Sequence, residues 1–447
     1  MSLSAALRAQ PAIAPVADAA ERDRLYRYWR VRVLYSSFVG YAIFYFCRKN
    51  LSAAQPALLA ELGYSKTQLG TIWSLLYLAY GVSKLVNGVL GDRANPRWFM
   101  PLGLLLSALA NVCFGLSWSL VMLGSFWALN GWVQGMGWPP CARLLTQWYS
   151  PNERGTTWAL WNISHQVGGG AILVLAGFLT EHYGWRSAFF VPAAICAACA
   201  VFLVDRLRDT PESLGLPPIE VWRGDGVTGV SATVTGSARE VLFDRVLRSR
   251  RIWFLALANF FVYLVRYGAM DWAPTFLVEV KHSTIANASY KTALFEIAGI
   301  GGALLAGRLI DTRLRHHRAA VNVAYMVGLI FAIVGFWQMP VGHPWLEGLS
   351  LAAVGFLVYG PQLLVGVLSA EAGGKTAAAT ATGFTGLWGY LGSIVSGAGT
   401  GWVADRFGWS GGFLMFAASA ALGAVCFLAT GDGESRDAHE VSPRPRP

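Results

Sequence analysis

Arg48 lies in "YFCRKN" (Tyr45 to Asn50), inside the apolar run that opens at Val33, "VLYSSFVGYAIFYFCRKNLSAAQPALLAEL". A guanidinium is costly in hydrocarbon and needs an anion, supplied by a neighbouring helix or by a ligand. A second arginine, Arg266, stands 218 residues further on in "ANFFVYLVRYGAMDWAPTFL", again deep in an apolar run. Two planar forks that donate parallel hydrogen bonds and stay charged suit a tetrahedral oxyanion, and two positive charges match a phosphate dianion, whose second pKa is about 6. The structural alternative pairs Arg48 with a helix-borne carboxylate and Arg266 with Asp271.

Other polar residues in apolar runs could complete such a site. His165, in "WNISHQVGGG", either lines a cavity or packs as a hydrogen-bonding residue. Lys84 follows Tyr80 by one helical turn and shares its face, and either joins the site or snorkels to the interface. Lys49 is about 100° round the helix from Arg48, so it is expected to face a neighbouring helix or water. Asp271, Glu296 and Glu371 are the carboxylates that could carry a proton or serve as ion-pair partners. The six cysteines fall in apolar runs, and Cys196-Ala-Ala-Cys199 has no His or second Cys pair nearby, so it reads as packing; no metal or other cofactor is expected.

The elements that position these residues follow from composition. Of 447 residues 55% are hydrophobic and 13% charged, with a mean hydropathy of +0.44, which marks a polytopic membrane protein. Apolar windows long enough to cross a bilayer predict twelve spans, starting near residues 33, 66, 98, 119, 155, 187, 252, 288, 319, 346, 376 and 410. The first residues lack a signal-peptide core and are expected to form a disordered tail. Cations cluster before span 1 (Arg22, Arg24, Arg27, Arg30), after span 2 (Arg93, Arg97), after span 4 (Arg154), in the central loop and after span 8 (Arg313, Arg315, Arg318), and the opposite loops carry few, such as Lys66, Arg186, Lys281, Lys291 and Arg406. The positive-inside rule then places both termini and the central loop in the cytoplasm. The net charge of +10 is accounted for by this topology and by anionic lipid, and nucleic-acid binding is not expected.

An internal repeat organises the spans. "GFLTEHYGWRSAF" (Gly177 to Phe189) matches "GWVADRFGWSGGF" (Gly401 to Phe413) at an offset of 224, and "NGVLGDR" (Asn87 to Arg93) matches "AGRLIDTR" (Ala306 to Arg313) at 219. The expected architecture is therefore an all-α membrane protein of two pseudo-symmetric six-helix bundles: tail 1–30, bundle 31–206, cytoplasmic linker 207–251, bundle 252–430 and tail 431–447. Under it Arg48 and Arg266 are twins, each about 21 to 23 Å along its span. Gly383, Gly386, Gly389 and Gly392 form a small-residue stripe for close helix packing, and Pro139-Pro140 breaks span 4 in mid-membrane.

These motifs, together with "QGMGWPPC", "ERG" (Glu153 to Gly155), "YGPQ" (Tyr359 to Gln362) and "GFTGLWGYLG", resemble the organophosphate:phosphate antiporters of the major facilitator superfamily from about Tyr28 to Ala429. The resemblance implies the major facilitator fold, in the cytoplasmic (inner) membrane of a bacterium. It implies that Arg48 and Arg266 bind phosphate and that Tyr45, Tyr80, Lys84, Trp138, His165, Tyr263, Tyr359 and Tyr390 line the site. It further implies exchange of a sugar phosphate for inorganic phosphate by a monomer; with no nucleophile and base pair beside a phosphate loop, enzymatic activity is not expected. "RKNLSAAQP" and "ARLLTQWYSPNERGTTWALWN" are similar to the hexose-phosphate branch, and "RYGAMDW" and "WGYLG" to the glycerol-3-phosphate branch; span 11 lacks the Asp associated with one hexose-6-phosphate subtype. Two alternatives are a non-transporting hexose-phosphate sensor and a proton-coupled symporter.

Overall fold

The computed structural model describes residues 7–225, 241–314 and 316–431. The C-terminal tail beyond Gly431, the middle of the linker and Arg315 lie outside the described residues. The described residues are mostly helical, the long helices being α1 Ala19–Phe44, α2 Asn50–Leu62, α3 Lys66–Arg93, α4 Pro96–Gly115, α5 Leu120–Gln134, α6 Trp138–Trp148, α7 Pro151–Asn162, α8 Ser164–Tyr183, α9 Ser187–Arg206, α10 Arg250–Glu279, α11 Ile285–Asp311, α12 Arg318–Gln338 and α13 Pro344–Thr430. Polar caps set the boundaries: Ser65 and Gln68 form a capping box on α3, and Ser119, Ser249 and Thr284 cap α5, α10 and α11.

Apart from the first, and from the last two, which begin inside α13 beside Gly374 and Gly408, the expected spans begin within about one helical turn of the observed helices. Nine helical runs among the described residues are long and apolar enough to cross a bilayer. The expected twelve exceed that count at three places. Span 1 is divided between α1 and α2, span 4 between α5 and α6, and spans 11 and 12 run together in α13. Within α13, Gly374 (φ 61°, ψ −172°) and Gly408 (φ 67°, ψ −176°) leave the helical conformation and turn the chain, a backbone region open to glycine and strained for other residues.

The expectation of a disordered tail through residue 30 is corrected over Ala19 to Arg30, which belong to α1. Tyr26 is fully buried, stacks on Trp222 at 4.5 Å between centroids and donates to Pro217 O at 2.5 Å. The described linker packs back as well: Leu207, Leu216 and Ile219 join the same apolar cluster, and the buried Asp209 carboxylate accepts from Arg143 at 2.9 Å.

The residues before and after the linker meet along one seam, at the end away from the arginine-rich loops. There Ser52 Oγ donates to Met270 O (3.0 Å), Gln55 Nε2 to Thr275 Oγ1 (2.9 Å), and Asp405 accepts from Thr67 N and Oγ1 (2.8 and 2.6 Å). Glycines let backbones touch: a Cβ on Gly70 would lie 2.4 Å from Gly397 O, and one on Gly401 2.2 Å from Lys66 O. At the basic end the picture reverses. The expected stripe packs only in its second half, where Gly389 and Gly392 abut α10, whereas Cβ atoms at Gly383, Gly386 and Gly88 would meet nothing within 4 Å.

Candidate anion-binding site

Arg48 sits where span 1 stops being an α-helix. Tyr45–Cys47 form a 3₁₀ turn, Arg48 has φ −125° and ψ −39°, and the helix resumes at Asn50. Such a break strands carbonyls in the membrane interior, which must find other donors. Three buried amides supply them: Gln134 Nε2 donates to Phe44 O at 2.9 Å, and Asn111 and Asn130 donate to Cys47 O at 3.0 and 2.6 Å. Arg266 rides on the unbroken α10. The twins of the repeat thus have different backbones, and only the first is held by a polar scaffold.

Two chains of aromatic rings join the arginines. In one, Arg48 lies over Tyr45 (3.9 Å), Tyr45 contacts His165 (5.9 Å), His165 contacts Tyr359 (6.0 Å), and Arg266 lies over Tyr359 (4.6 Å). In the other, Arg48 lies over Tyr80 (5.1 Å), and contacts pass through Tyr390 (5.4 Å), Tyr263 (6.1 Å) and Tyr267 (5.6 Å) back to Arg266 (4.8 Å). The closed ring gathers most of the expected lining residues. Lys84 and Trp138 stand on its basic-end side, with the Lys84 ammonium 5.3 Å from the rings of both Trp138 and Tyr390. Aromatic faces stabilise a cation without neutralising it, by roughly 0.5 to 2 kcal/mol each.

Neither arginine is within ion-pair distance of a carboxylate among the described residues. Arg48 and Arg266 are 5% and 3% exposed, and the Nε of each is buried with no hydrogen-bond partner. Buried unsatisfied donors on a charged group are costly, and an oxyanion is the kind of acceptor that would satisfy them. Arg266 also donates to the hydroxyls of Tyr359 (2.8 Å) and Tyr267 (3.3 Å), and Tyr359 in turn donates to Glu296 Oε2 (2.5 Å). Glu296 Oε1 has no partner. His165 Nδ1 donates to Asn162 O, which leaves Nε2 as an acceptor in the neutral ring and as a donor once protonated.

The structural alternative for Arg266 is not what forms. Asp271 pairs with Lys49 at 2.6 Å, both side chains being about fully buried at 1% and 2% exposure, and it also accepts from Tyr77. Lys49 therefore reaches from span 1 to α10 and belongs to the seam. Glu371 lies elsewhere, pairing with Arg318 near the basic end with 44% of its side chain exposed. Sequence reasoning missed Tyr77, Tyr267, Trp158 and Trp161. The first two carried a signal, since Tyr77 precedes Tyr80 by three residues and Tyr267 adjoins Arg266. Trp161 and Trp158 extend an aromatic wall from Tyr41 to Trp138.

With a helical membrane fold whose two cationic anchors come from repeat-related spans, the comparisons with known proteins are informative. Residues 37–397 match the family model described as Major Facilitator Superfamily, and the chain belongs to that superfamily of transporters. The chain is 45% identical over 419 residues to a "Probable hexose phosphate transport protein" of Chlamydia pneumoniae, covering 91% of this chain and 92% of that one. It is 41% identical to a "Glycerol-3-phosphate transporter" of Bacillus subtilis (92% and 94% covered), and 38% identical to the "Membrane sensor protein UhpC" of Escherichia coli (94% and 96%). The organophosphate branch indicated by the sequence motifs is thus the branch of its relatives, none of them named as an enzyme. Among solved structures, a bacterial homolog of the human lysosomal transporter Spinster, inward-facing and unoccupied, superposes with a TM-score of 0.71 at 18% identity, covering 90% of this chain and 94% of that one; this similarity is one of fold.

Proposed function

We propose that this protein exchanges a sugar phosphate, hexose 6-phosphate by preference and glycerol 3-phosphate next, for inorganic phosphate by alternating access. The observation that carries the reading is the pair of buried arginines, each without a carboxylate partner among the described residues, joined by one ring of aromatic side chains. The relatives named for hexose phosphate and glycerol 3-phosphate support the substrate class. Arg48 and Arg266 bind the phosphate; His165, Tyr45, Tyr80, Tyr263, Tyr359 and Tyr390 surround it, and Lys84 and Trp138 stand at the mouth. The aromatic wall offers flat faces for the sugar.

The exchange follows from charge. Arg48, Arg266, Lys49 and Lys84 against Asp271 and Glu296 leave two net positive charges around the site, matched by a phosphate dianion, so closing both ends over it empty is unfavourable. A phosphate offsets that charge, and the two six-helix halves rock past each other only when loaded. The closed seam at one end and the open space around Gly383 and Gly386 at the other fit a state open on the basic side, which the positive-inside rule places in the cytoplasm. The protein acts as a monomer in the inner membrane, with both termini cytoplasmic.

The similarity to a membrane sensor favours one second reading, in which the same ester is bound and not moved. Proteoliposomes loaded with labelled phosphate and challenged with glucose 6-phosphate, glycerol 3-phosphate, phosphoglycerate and phosphate separate the two. A transporter releases label fastest to a hexose 6-phosphate. No release to any of them, from protein that binds the ester, would assign the sensor role.

A further inference from the structure

Cations are scarce at the end of the molecule away from the basic loops, and two of them are paired at its surface: Lys66 with Glu279 at 3.0 Å and Arg186 with Glu61 at 2.7 Å. Lys281, between α10 and α11, is only 7% exposed, yet it makes no ion pair among the described residues. Its ammonium donates to the carbonyls of Trp337 (3.3 Å) and Met339, which occupies two of its three N–H donors. Burial pulls this ammonium below the ordinary lysine range, and the charge of Glu347 opposes that only in part.

Lys281 lines a cavity of about 620 Å³, within the size range of ligand sites. Asn287, Tyr290, Lys291 and Leu294 form one face of α11 along it, and Trp345 and Gly348 close it from the start of α13. Lys291 donates to Ser283 Oγ (2.9 Å) and to Glu347 (2.5 Å), whose side chain is 2% exposed. Two ammoniums against one carboxylate leave one net positive charge. The loop that edges the cavity is strained: His282, at φ 54°, is the one non-glycine residue with positive φ among those described, and such outliers gather at ligand clamps. Beside the cavity Leu294 and Leu349 are 44% and 66% exposed on helices that cross the membrane, so apolar surface leads from the cations into the bilayer.

We propose that this cavity binds the headgroup of an anionic phospholipid from the adjoining leaflet, with Lys281 and Lys291 on the phosphodiester and the acyl chains against Leu294 and Leu349. The charge count selects the ligand. A phosphodiester brings one negative charge and neutralises the cavity, whereas the dianion of a phosphate monoester overshoots it. Zwitterionic lipids carry their own ammonium and gain less. The cavity shares no residue with the central site, so its occupancy is independent of the exchange reading.

The test uses the full chain in detergent, titrated with phosphatidylglycerol, phosphatidylcholine or inorganic phosphate, with bound lipid counted by native mass spectrometry. Lys281→Gln keeps a donor for the two carbonyls and removes the charge. Asn287→Glu adds a negative charge at an exposed position of the first turn of α11, where an acid can complete a capping box with Thr284 beside the Glu181 carboxylate that already accepts from Ala286 N, and an unchanged melting temperature separates weakened binding from misfolding. The expected result is phosphatidylglycerol bound at least about tenfold tighter than phosphatidylcholine, with each variant losing about tenfold toward phosphatidylglycerol alone, the scale of one charge-assisted hydrogen bond. Equal retention of both lipids, undiminished phosphatidylglycerol binding in both folded variants, or displacement of the lipid by inorganic phosphate at comparable concentration would overturn the proposal.

Discussion

Glu296→Gln tests the charge logic of the central site. Glu296 is fully buried and reaches Arg266 through one phenol, by hydrogen bonds of 2.5 and 2.8 Å. Glutamine keeps an acceptor for Tyr359 and the volume of the side chain, but it raises the net charge of the empty site from two to three. A phosphate oxygen held on the far side of the Arg266 guanidinium lies about 8 Å from the carboxylate. At an effective dielectric of about 20 their repulsion is about 2 kcal/mol, or about 30-fold in affinity. The variant should therefore bind phosphate more tightly and release it more slowly, so that KM and kcat for exchange in proteoliposomes fall together. A raised KM, or an unchanged KM in protein that folds normally, would refute the reasoning and with it the view that Glu296 acts as a counter-charge.

Other perturbations separate the site from its frame. Asp271→Asn leaves Lys49 buried without a counter-charge, at a cost of about 3 to 5 kcal/mol, and should open the seam; a cysteine placed at Gln55 would then react faster with a membrane-impermeant thiol reagent. Gly397→Val drives a side chain into Gly70 and Ser74, 2.6 Å from a Cβ there, and should cut exchange by more than about tenfold while phosphate binding from the open side persists. Glu371→Gln removes only a partly exposed ion pair, worth about 0 to 1 kcal/mol, and should leave exchange rates unchanged.

Much of this was legible in the sequence, for physical reasons. Hydropathy located the helices because the bilayer demands long apolar runs, and it failed for Ala19 to Arg30 because that charged stretch is held by contacts distant in sequence, Tyr26 and Asp23 on Trp222 and Arg30 on Glu153, the first across 196 residues. The arginine pair was found because a charge in an apolar run needs an explanation and the repeat offered a second. The partner of Lys49 was not, since side-chain angle on an ideal helix says nothing once the helix breaks at Arg48. The amides of Asn111, Asn130 and Gln134 look unremarkable in sequence; their role is visible only beside the carbonyls that the break exposes.

The central claim is that two buried arginines, neither ion-paired among the described residues, hold a phosphate while it crosses the membrane. Its most direct test is the exchange of internal labelled phosphate for external hexose 6-phosphate by wild-type, Arg48→Lys and Arg266→Lys protein in proteoliposomes. Lysine keeps the charge and loses the fork, a loss of about 1.5 to 3 kcal/mol. The account predicts rapid exchange by the wild type and a fall of at least about tenfold in each variant at unchanged stability. Exchange at the wild-type rate by either folded variant would contradict it.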